Sequence, residues 1–150
     1  MSVRQKRIRI VQIDFTQVPV PIPTPETEHF WAGTRVGELR LQKCKDCQSS
    51  YFPPRPFCPA CASRSIDIIC ASGRASLASY VINQRSHPAF DGPYAIALVT
   101  LEEGVRMMSN LLNVEQTPDA LILDMPLQVT FQPVGEEIVL PYFEPRVVRS

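Results

Sequence analysis

Four of the five cysteines of this 150-residue chain lie in one short segment, and this feature constrains the fold more than any other. They form two C-x2-C pairs separated by ten residues: Cys44 and Cys47, then Cys58 and Cys61. Two thiolates three residues apart can bind one ion from a tight turn, and two such turns facing each other complete a tetrahedral sulfur site. Because four thiolates leave no open coordination position, the spacing predicts structural zinc rather than catalysis.

Two details of these cysteines leave alternatives open. Iron is the alternative metal, because rubredoxin-like electron carriers use the same sulfur geometry. The glycine that often follows the second cysteine of such turns is replaced by Gln48 in one turn and Ala62 in the other. The fifth cysteine, Cys70, is expected to be a buried small side chain in a strand rather than a nucleophile, since no histidine lies near it in sequence.

The cellular compartment affects how the cysteines are interpreted. The chain has no apolar run near 18 residues, and its basic first residues lack the continuous apolar segment of a signal peptide. We therefore expect no membrane span and a cytoplasmic location. In that compartment C-x2-C pairs are better interpreted as metal ligands than as disulfides.

The region before the cysteines divides into an arm and a helix. Residues 1–23 combine a basic cluster with alternating prolines, which predicts an extended arm, either flexible or able to add a strand to a partner's sheet. A helix is expected from Thr24 to about Leu39, with Thr24 as its cap and Pro25 in its first turn. We assign residues 24–65 to this helix and the zinc ribbon.

The rest of the chain, residues 66–146, has β-like runs separated by turn signals. The run from IDIIC to INQRS is expected to be one long strand bent at Gly73, and VTLEEGVRMM a hairpin with Gly104 in its turn. One helical turn at TPDALI would separate the third and fourth of five strands, as in the OB-fold, a small and partly open barrel. The predicted fold class is mainly β: an N-terminal helix, a rubredoxin-like zinc ribbon and an OB-fold barrel.

Charge is divided unevenly between the two halves. Residues 1–70 carry ten Lys or Arg against six Asp or Glu, and residues 71–150 carry five against nine. A zinc ribbon joined to an OB-fold often binds single-stranded nucleic acid, which requires a basic groove with stacking aromatic side chains. A barrel of net charge −4 would repel phosphates, so nucleic-acid binding is the alternative rather than the favoured function.

Residues able to catalyse a reaction are sparse. The chain has two histidines, His29 and His87, and contains no G-x-S-x-G, phosphate-binding glycine loop or H-E-x-x-H motif. We therefore predict no catalytic residues and no enzyme that works alone.

Several motifs, taken in order, resemble one family. They are Phe30-Trp31 in the predicted helix, the FPPRP of residues 52–56 and the EEGVR of residues 102–106. From about residue 20 to 145 the chain resembles the acyl-CoA-associated zinc-ribbon/OB-fold proteins, a former domain of unknown function. Within the family it looks most similar to the small subunit of degradative thiolases, such as the benzoylsuccinyl-CoA thiolase.

The resemblance implies a non-catalytic accessory subunit. Members pair in trans with thiolase-like catalytic subunits, related synthases and retro-aldolases, or hot-dog-fold enoyl-CoA hydratases. The accessory subunit shapes the complex and can help to bind acyl-CoA. Two features depart from the family: the first 19 residues or so extend beyond its usual start, and Asp124 stands where many members have glycine. Because Asp tolerates left-handed backbone, the turn at Asp124 is expected to persist.

Contact residues follow from the charge of the ribbon and from this resemblance. Coenzyme A carries several phosphate charges, so we expect Arg55 and Arg64 to contact it or a negatively charged partner. Phe30 and Trp31 are expected either to anchor the partner interface or to pack on the ribbon.

Overall fold

Two antiparallel sheets and one α-helix make up the described part of the chain, residues 10–147 of a computed structural model. The elements, in chain order, are a 3-10 turn (Phe15–Gln17), α1 (Glu28–Arg35), β1 (Arg40–Cys44), β2 (Ser50–Tyr51), β3 (Ile66–Cys70), β4 (Arg74–Asn83), β5 (Tyr94–Leu101), β6 (Arg106–Asn110), β7 (Pro126–Val134) and β8 (Ile138–Pro145). The smaller sheet has the order β2-β1-β3, and the larger has the order β6-β5-β4-β7-β8. The mainly β prediction is confirmed.

The larger sheet curls into the predicted barrel. Its two edge strands, β6 and β8, approach each other at one end, where Leu111 and Phe143 form a parallel bridge. The backbone N–H of Leu112 donates to the carbonyl of Phe143 at 2.8 Å. One short bridge closes the sheet only partly, as an OB-fold requires, and leaves a seam where the rest of β6 faces β8.

Alternating side chains build the core of this barrel. Along β5, Ala95, Ala97, Val99 and Leu101 are buried, and the residues that alternate with them are partly exposed. A strand with this period of two places one face in the core. The predicted hairpin is present as β5 and β6, and Gly104 in its turn has φ +85°.

Two predictions about the segment that connects β6 to β7 are confirmed. The N–H of Leu121 donates to the carbonyl of Thr117 at 2.9 Å, which closes the single helical turn expected there. Asp124 adopts φ +67°, so aspartate does hold the left-handed turn.

The prediction of one long strand through Gly73 was wrong. β3 pairs along its whole length with β1 and so belongs to the smaller sheet, and the barrel begins at Arg74 rather than at residue 66. Gly73 turns the chain between the sheets with φ +80°, and a Cβ there would lie 2.5 Å from Cγ1 of Val129. The backbone therefore changes sheets at a position that only glycine can occupy without strain.

The helix is shorter than predicted at both ends. Thr24 does not cap it: the N–H of Thr24 donates to Oγ1 of Thr27 at 2.8 Å, and residues 25–27 form a separate turn before α1. At the other end the N–H of Glu38 donates to the carbonyl of Gly33, with Gly37 at φ +77°. This glycine-based cap ends the helix before Leu39, which the tertiary core then buries.

The described part of the arm differs from the expected free extension. The N–H of Asp14 donates to the carbonyl of Ala89 at 2.7 Å, and the ring of Phe15 meets Tyr142 edge-on at 5.5 Å. Residues 10–20 thus pack against the barrel of the same chain. The basic cluster of the arm lies outside the described residues.

Within residues 10–147, no helix combines the length and apolar character needed to cross a bilayer.

Candidate functional site

The four cysteines of the two pairs meet at one point. The sulfurs of Cys44 and Cys61 lie 3.6 Å apart, as do those of Cys47 and Cys58, and all four lie within 4.8 Å of one another. Four thiolates at about 2.3 Å from one zinc ion would be separated by about 3.8 Å in a tetrahedron. The donor set and its spacing therefore fit structural zinc, and iron can be held by the same sulfurs.

The two turns that carry the ligands are built alike. The carbonyl of Cys44 accepts from the N–H of Gln48 at 3.0 Å, and that of Cys58 accepts from Ala62 at 2.8 Å. Gln48 and Ala62 both adopt φ +63°, so each turn keeps the left-handed residue that glycine usually supplies. The missing glycines thus leave the metal geometry intact, at the cost of local backbone strain.

This strain gives a testable prediction. The substitution Ala62→Gly is expected to raise the free energy of unfolding of the metal-loaded protein by about 0.5–1 kcal/mol, because glycine adopts positive φ without a Cβ clash. Urea titration followed by circular dichroism would measure the change.

Ala60→Gly is the matched control for this substitution. Ala60 lies in the same turn but is not among the positive-φ residues, so glycine there should reduce stability. Equal losses from both substitutions would contradict the prediction.

The sulfurs influence one another's ionisation. Hydrogen bonds from Ser49 lower the pKa of the Cys47 thiol to about 6. The backbone N–H of Ser63 favours the thiolate of Cys61, but the neighbouring sulfurs, Cys44 foremost, oppose this and raise its pKa to about 12. Four clustered sulfurs therefore cannot all ionise near neutral pH unless a cation compensates their charge.

The prediction that Cys70 is buried was wrong. It is exposed at the end of β3, not buried, and its Sγ contacts the carbonyl of Ala71 at 3.7 Å. β3 lies at the edge of the smaller sheet, and none of its residues is fully buried. Among the described residues, no histidine forms a hydrogen bond with Cys70, and the cysteine lies outside the metal cluster.

The aromatic pair of α1 packs on the ribbon. Phe30 is 4% exposed and meets Trp31 edge-on at 4.9 Å and Phe52 at 5.1 Å. Trp31 is only partly buried. Phe30 thus joins the helix to the FPPRP segment inside the core, and Trp31 is the member of the pair that a partner could contact.

The two predicted arginines lie at the surface of the ribbon. Arg55 and Arg64 are exposed, and neither forms an ion pair within residues 10–147. The backbone of Arg55 is fixed, because its N–H donates to Oε1 of buried Gln42 at 2.7 Å. Both guanidinium groups remain available for an anionic ligand or partner, which stays a prediction.

A groove that the sequence did not reveal follows the seam of the barrel. It consists of two adjoining cavities of about 350 and 260 Å³, here called the seam groove. The cavities share five lining residues: Val18, Met108, Ser109, Asn110 and Tyr142. The first cavity extends towards His87, Phe90 and Tyr94, and the second towards the aromatic pair of α1. Only the closure of the barrel decides which strands face across a seam, so spacing in the sequence carries no signal for this groove.

The chain matches two family models, which together follow the two sheets. Residues 31–67 match "ChsH2, rubredoxin-like zinc ribbon domain", and residues 70–132 match "ChsH2, C-terminal OB-fold domain". The order of ribbon and barrel found in the structure is therefore that of the family.

Curated relatives include subunits of acyl-CoA enzymes and scaffold proteins. A probable enoyl-CoA hydratase alpha subunit of Thermomonospora curvata is 33% identical over 86% of this chain and 40% of its own length. A DUF35 domain-containing scaffold protein of Methanothermobacter thermautotrophicus is 33% identical, covering 66% of this chain and 75% of that protein. The benzoylsuccinyl-CoA thiolase subunit BbsA of Thauera aromatica is 26% identical, with 66% and 67% covered. The chain spans less than half of the hydratase subunit it matches.

A solved structure has the same fold. The matching chain of the Ltp2-ChsH2(DUF35) aldolase superposes with a TM-score of 0.76 at 32% identity, covering 85% of this chain and all of that one. At this identity the likeness extends beyond the fold to common descent.

Proposed function

The chain belongs to the ChsH2 (DUF35) family of rubredoxin-like zinc-ribbon and OB-fold proteins, and on that premise we propose that it is a non-catalytic accessory subunit of an acyl-CoA-processing enzyme. The favoured partner is a thiolase-type catalytic subunit supplied in trans, and a hot-dog-fold hydratase is the alternative. The relatives support this, since they include a thiolase subunit and hydratase alpha subunits. A cytoplasmic location remains part of the proposal.

The observation that carries the proposal is the closed four-cysteine site. Its sulfurs lie within 4.8 Å of one another, so a bound zinc ion has no position left for a substrate. The metal would instead hold the ribbon in shape next to α1. The residues that contact other molecules would then lie on the surface around the four-cysteine site, and the cysteines themselves would make no such contact.

We assign the contact with the partner, or with acyl-CoA at a shared interface, to the exposed surface of the ribbon. Arg55 and Arg64 offer two guanidinium groups without ion pairs among the described residues, whereas Arg40 and Lys45 are paired with Glu38 and Asp67. Guanidinium groups bind phosphate oxygens in a bidentate manner, which suits the nucleotide end of coenzyme A. Trp31, partly exposed on α1, supplies an aromatic anchor for the partner, since tryptophan is frequent at binding hot spots.

The alternative function, binding of single-stranded nucleic acid, has less support. In other OB-folds the ligand lies on the face of the second and third strands, which here are β5 and β6. On that face Ile96, Leu98 and Met108 stand where a nucleic-acid binder would place basic and stacking side chains.

Affinity capture of the tagged protein from a lysate of its native host, followed by mass spectrometry, would test the proposal. We expect a stoichiometric thiolase-like or hydratase-like chain. Ribosomal proteins with nucleic acid would contradict the proposal and favour the alternative.

A double substitution tests the assignment of the contact surface. Arg55→Ala with Arg64→Ala is expected to weaken partner affinity or coenzyme A binding by at least about tenfold, because two cationic contacts are lost. Binding would be measured by calorimetry with the captured partner, with and without coenzyme A.

Arg85→Ala with Arg106→Ala is the matched control, since both arginines are exposed on the barrel. Unchanged affinity in the ribbon variant would contradict the assignment while leaving the accessory role itself in place.

A further inference from the structure

The described residues that line the seam groove carry no formal charge. Among residues 10–147, no Asp, Glu, Lys or Arg lines either cavity, and His87 is the one imidazole. A ligand with a full charge would lose its hydration there without gaining an opposite charge. The groove therefore favours an uncharged occupant, and its two cavities together approach the volume of small-molecule sites.

Aromatic rings form one end of the groove. Phe90 and Tyr94 are stacked in parallel with their ring centroids 3.7 Å apart, and His87 lies edge-on to both. The hydroxyl of Tyr94 accepts a hydrogen bond from Nδ2 of Asn83 at 2.8 Å, which holds the ring in place. This end thus offers ring faces and edges, which suit a second ring in stacked or edge-on contact.

Two polar groups without full complements of hydrogen bonds lie at the middle of the groove. Tyr142 is 3% exposed and lines both cavities, yet its hydroxyl has no hydrogen-bond partner among residues 10–147. Burial raises the pKa of Tyr142, so the hydroxyl keeps its proton at neutral pH and remains a donor. Asn110 donates from Nδ2 to the carbonyl of Ala95 at 2.9 Å, and its Oδ1 accepts no hydrogen bond from the described residues.

The hydroxyl of Tyr142 is accordingly free to donate to a molecule in the groove, since the few polar groups of such a site fix the orientation of its ligand by hydrogen bonds. We propose that the seam groove binds an uncharged, ring-bearing carbonyl compound, with its ring towards Phe90 and Tyr94 and its carbonyl oxygen accepting from the hydroxyl of Tyr142. Oδ1 of Asn110 is then free to accept from an N–H of the same ligand. This function goes beyond the accessory role and requires no catalytic partner.

The arm forms part of the wall of the groove. Val18 is the residue of the arm that lines both cavities, and it is held there by the contact of Phe15 with Tyr142. A larger side chain at position 18 would fill the space between the cavities. Val20, two residues further on, is 51% exposed and lines neither cavity, which makes it a matched control.

The test uses N-methylbenzamide, a neutral ring with one carbonyl and one N–H, added to the metal-loaded full chain. Chemical-shift changes in two-dimensional amide spectra should saturate with a dissociation constant of about 1 mM, typical of so small a ligand. They should centre on β6, β8 and the loop before β5. Benzoate, of similar shape but negatively charged, should bind at least about tenfold more weakly.

Two variants, each with a matched control, make the proposal falsifiable. Val18→Trp should weaken N-methylbenzamide binding at least about tenfold by filling the groove, whereas Val20→Trp should leave it unchanged. Tyr142→Phe should weaken binding about three- to tenfold, and Tyr80→Phe, outside both cavities, should not. Dispersed amide spectra of each variant would establish that it is folded. The proposal is overturned if no saturable shifts occur, if benzoate binds equally well, or if Tyr142→Phe and Val18→Trp both bind like the unaltered chain.

Discussion

Removal of the metal is expected to unfold residues 40–65 and to abolish assembly with the catalytic partner. The ribbon has little core of its own: its buried cluster consists of Cys44, Tyr51 and Cys58 with Ile66 packed against them. Structural zinc contributes about 10–16 kcal/mol in small zinc domains, more than so few side chains can replace. Loss of amide protection in this range after chelation, followed by hydrogen exchange, would measure the effect.

Substitution of two metal ligands provides a second test of this prediction. Cys44→Ser with Cys58→Ser removes one ligand from each turn and should reproduce the loss of structure and of partner binding. Cys70→Ser is the matched control, because Cys70 is a cysteine outside the metal cluster. Partner affinity retained by the double variant would show that the metal does not support the contact surface.

Phe30→Ala is expected to lower the free energy of unfolding by about 3–5 kcal/mol, the second-largest effect that we predict. Its ring is 4% exposed and joins α1 and Phe52 to the core cluster that also contains barrel residues such as Val99 and Phe143. Deleting the ring leaves a cavity where helix, ribbon and barrel meet. Urea unfolding of the metal-loaded protein would measure the loss.

Trp31→Ala separates stability from binding. Trp31 is only partly buried, so its removal should cost less stability than that of Phe30, about 1–2 kcal/mol. Partner affinity should nevertheless fall, because the exposed part of the indole lies on the proposed contact surface. If Phe30→Ala cost less than Trp31→Ala, the assignment of core and surface roles would be reversed.

Much of the architecture could be predicted from local pattern. The alternation along β5 and the glycine at position 104 are short-range signals, and both the strand and the hairpin are present. The helix was overestimated because Thr24 and Pro25 resemble a helix start, yet the hydrogen bond between Thr24 and Thr27 makes a separate turn instead. Gly73 was correctly identified as a bend, but a bend within one strand and a change of sheet look alike in sequence.

The sequence by itself determined the metal site, because all four ligands lie within one short segment and their spacing alone brings the sulfurs together. Only the tertiary structure decided the course of the arm, the surroundings of Cys70 and the existence of the seam groove. Each depends on contacts between residues far apart in the chain, such as Phe15 with Tyr142 and Leu111 with Phe143. Such contacts form where the barrel closes, and closure depends on the packing of all five strands together, not on the local pattern of any one of them.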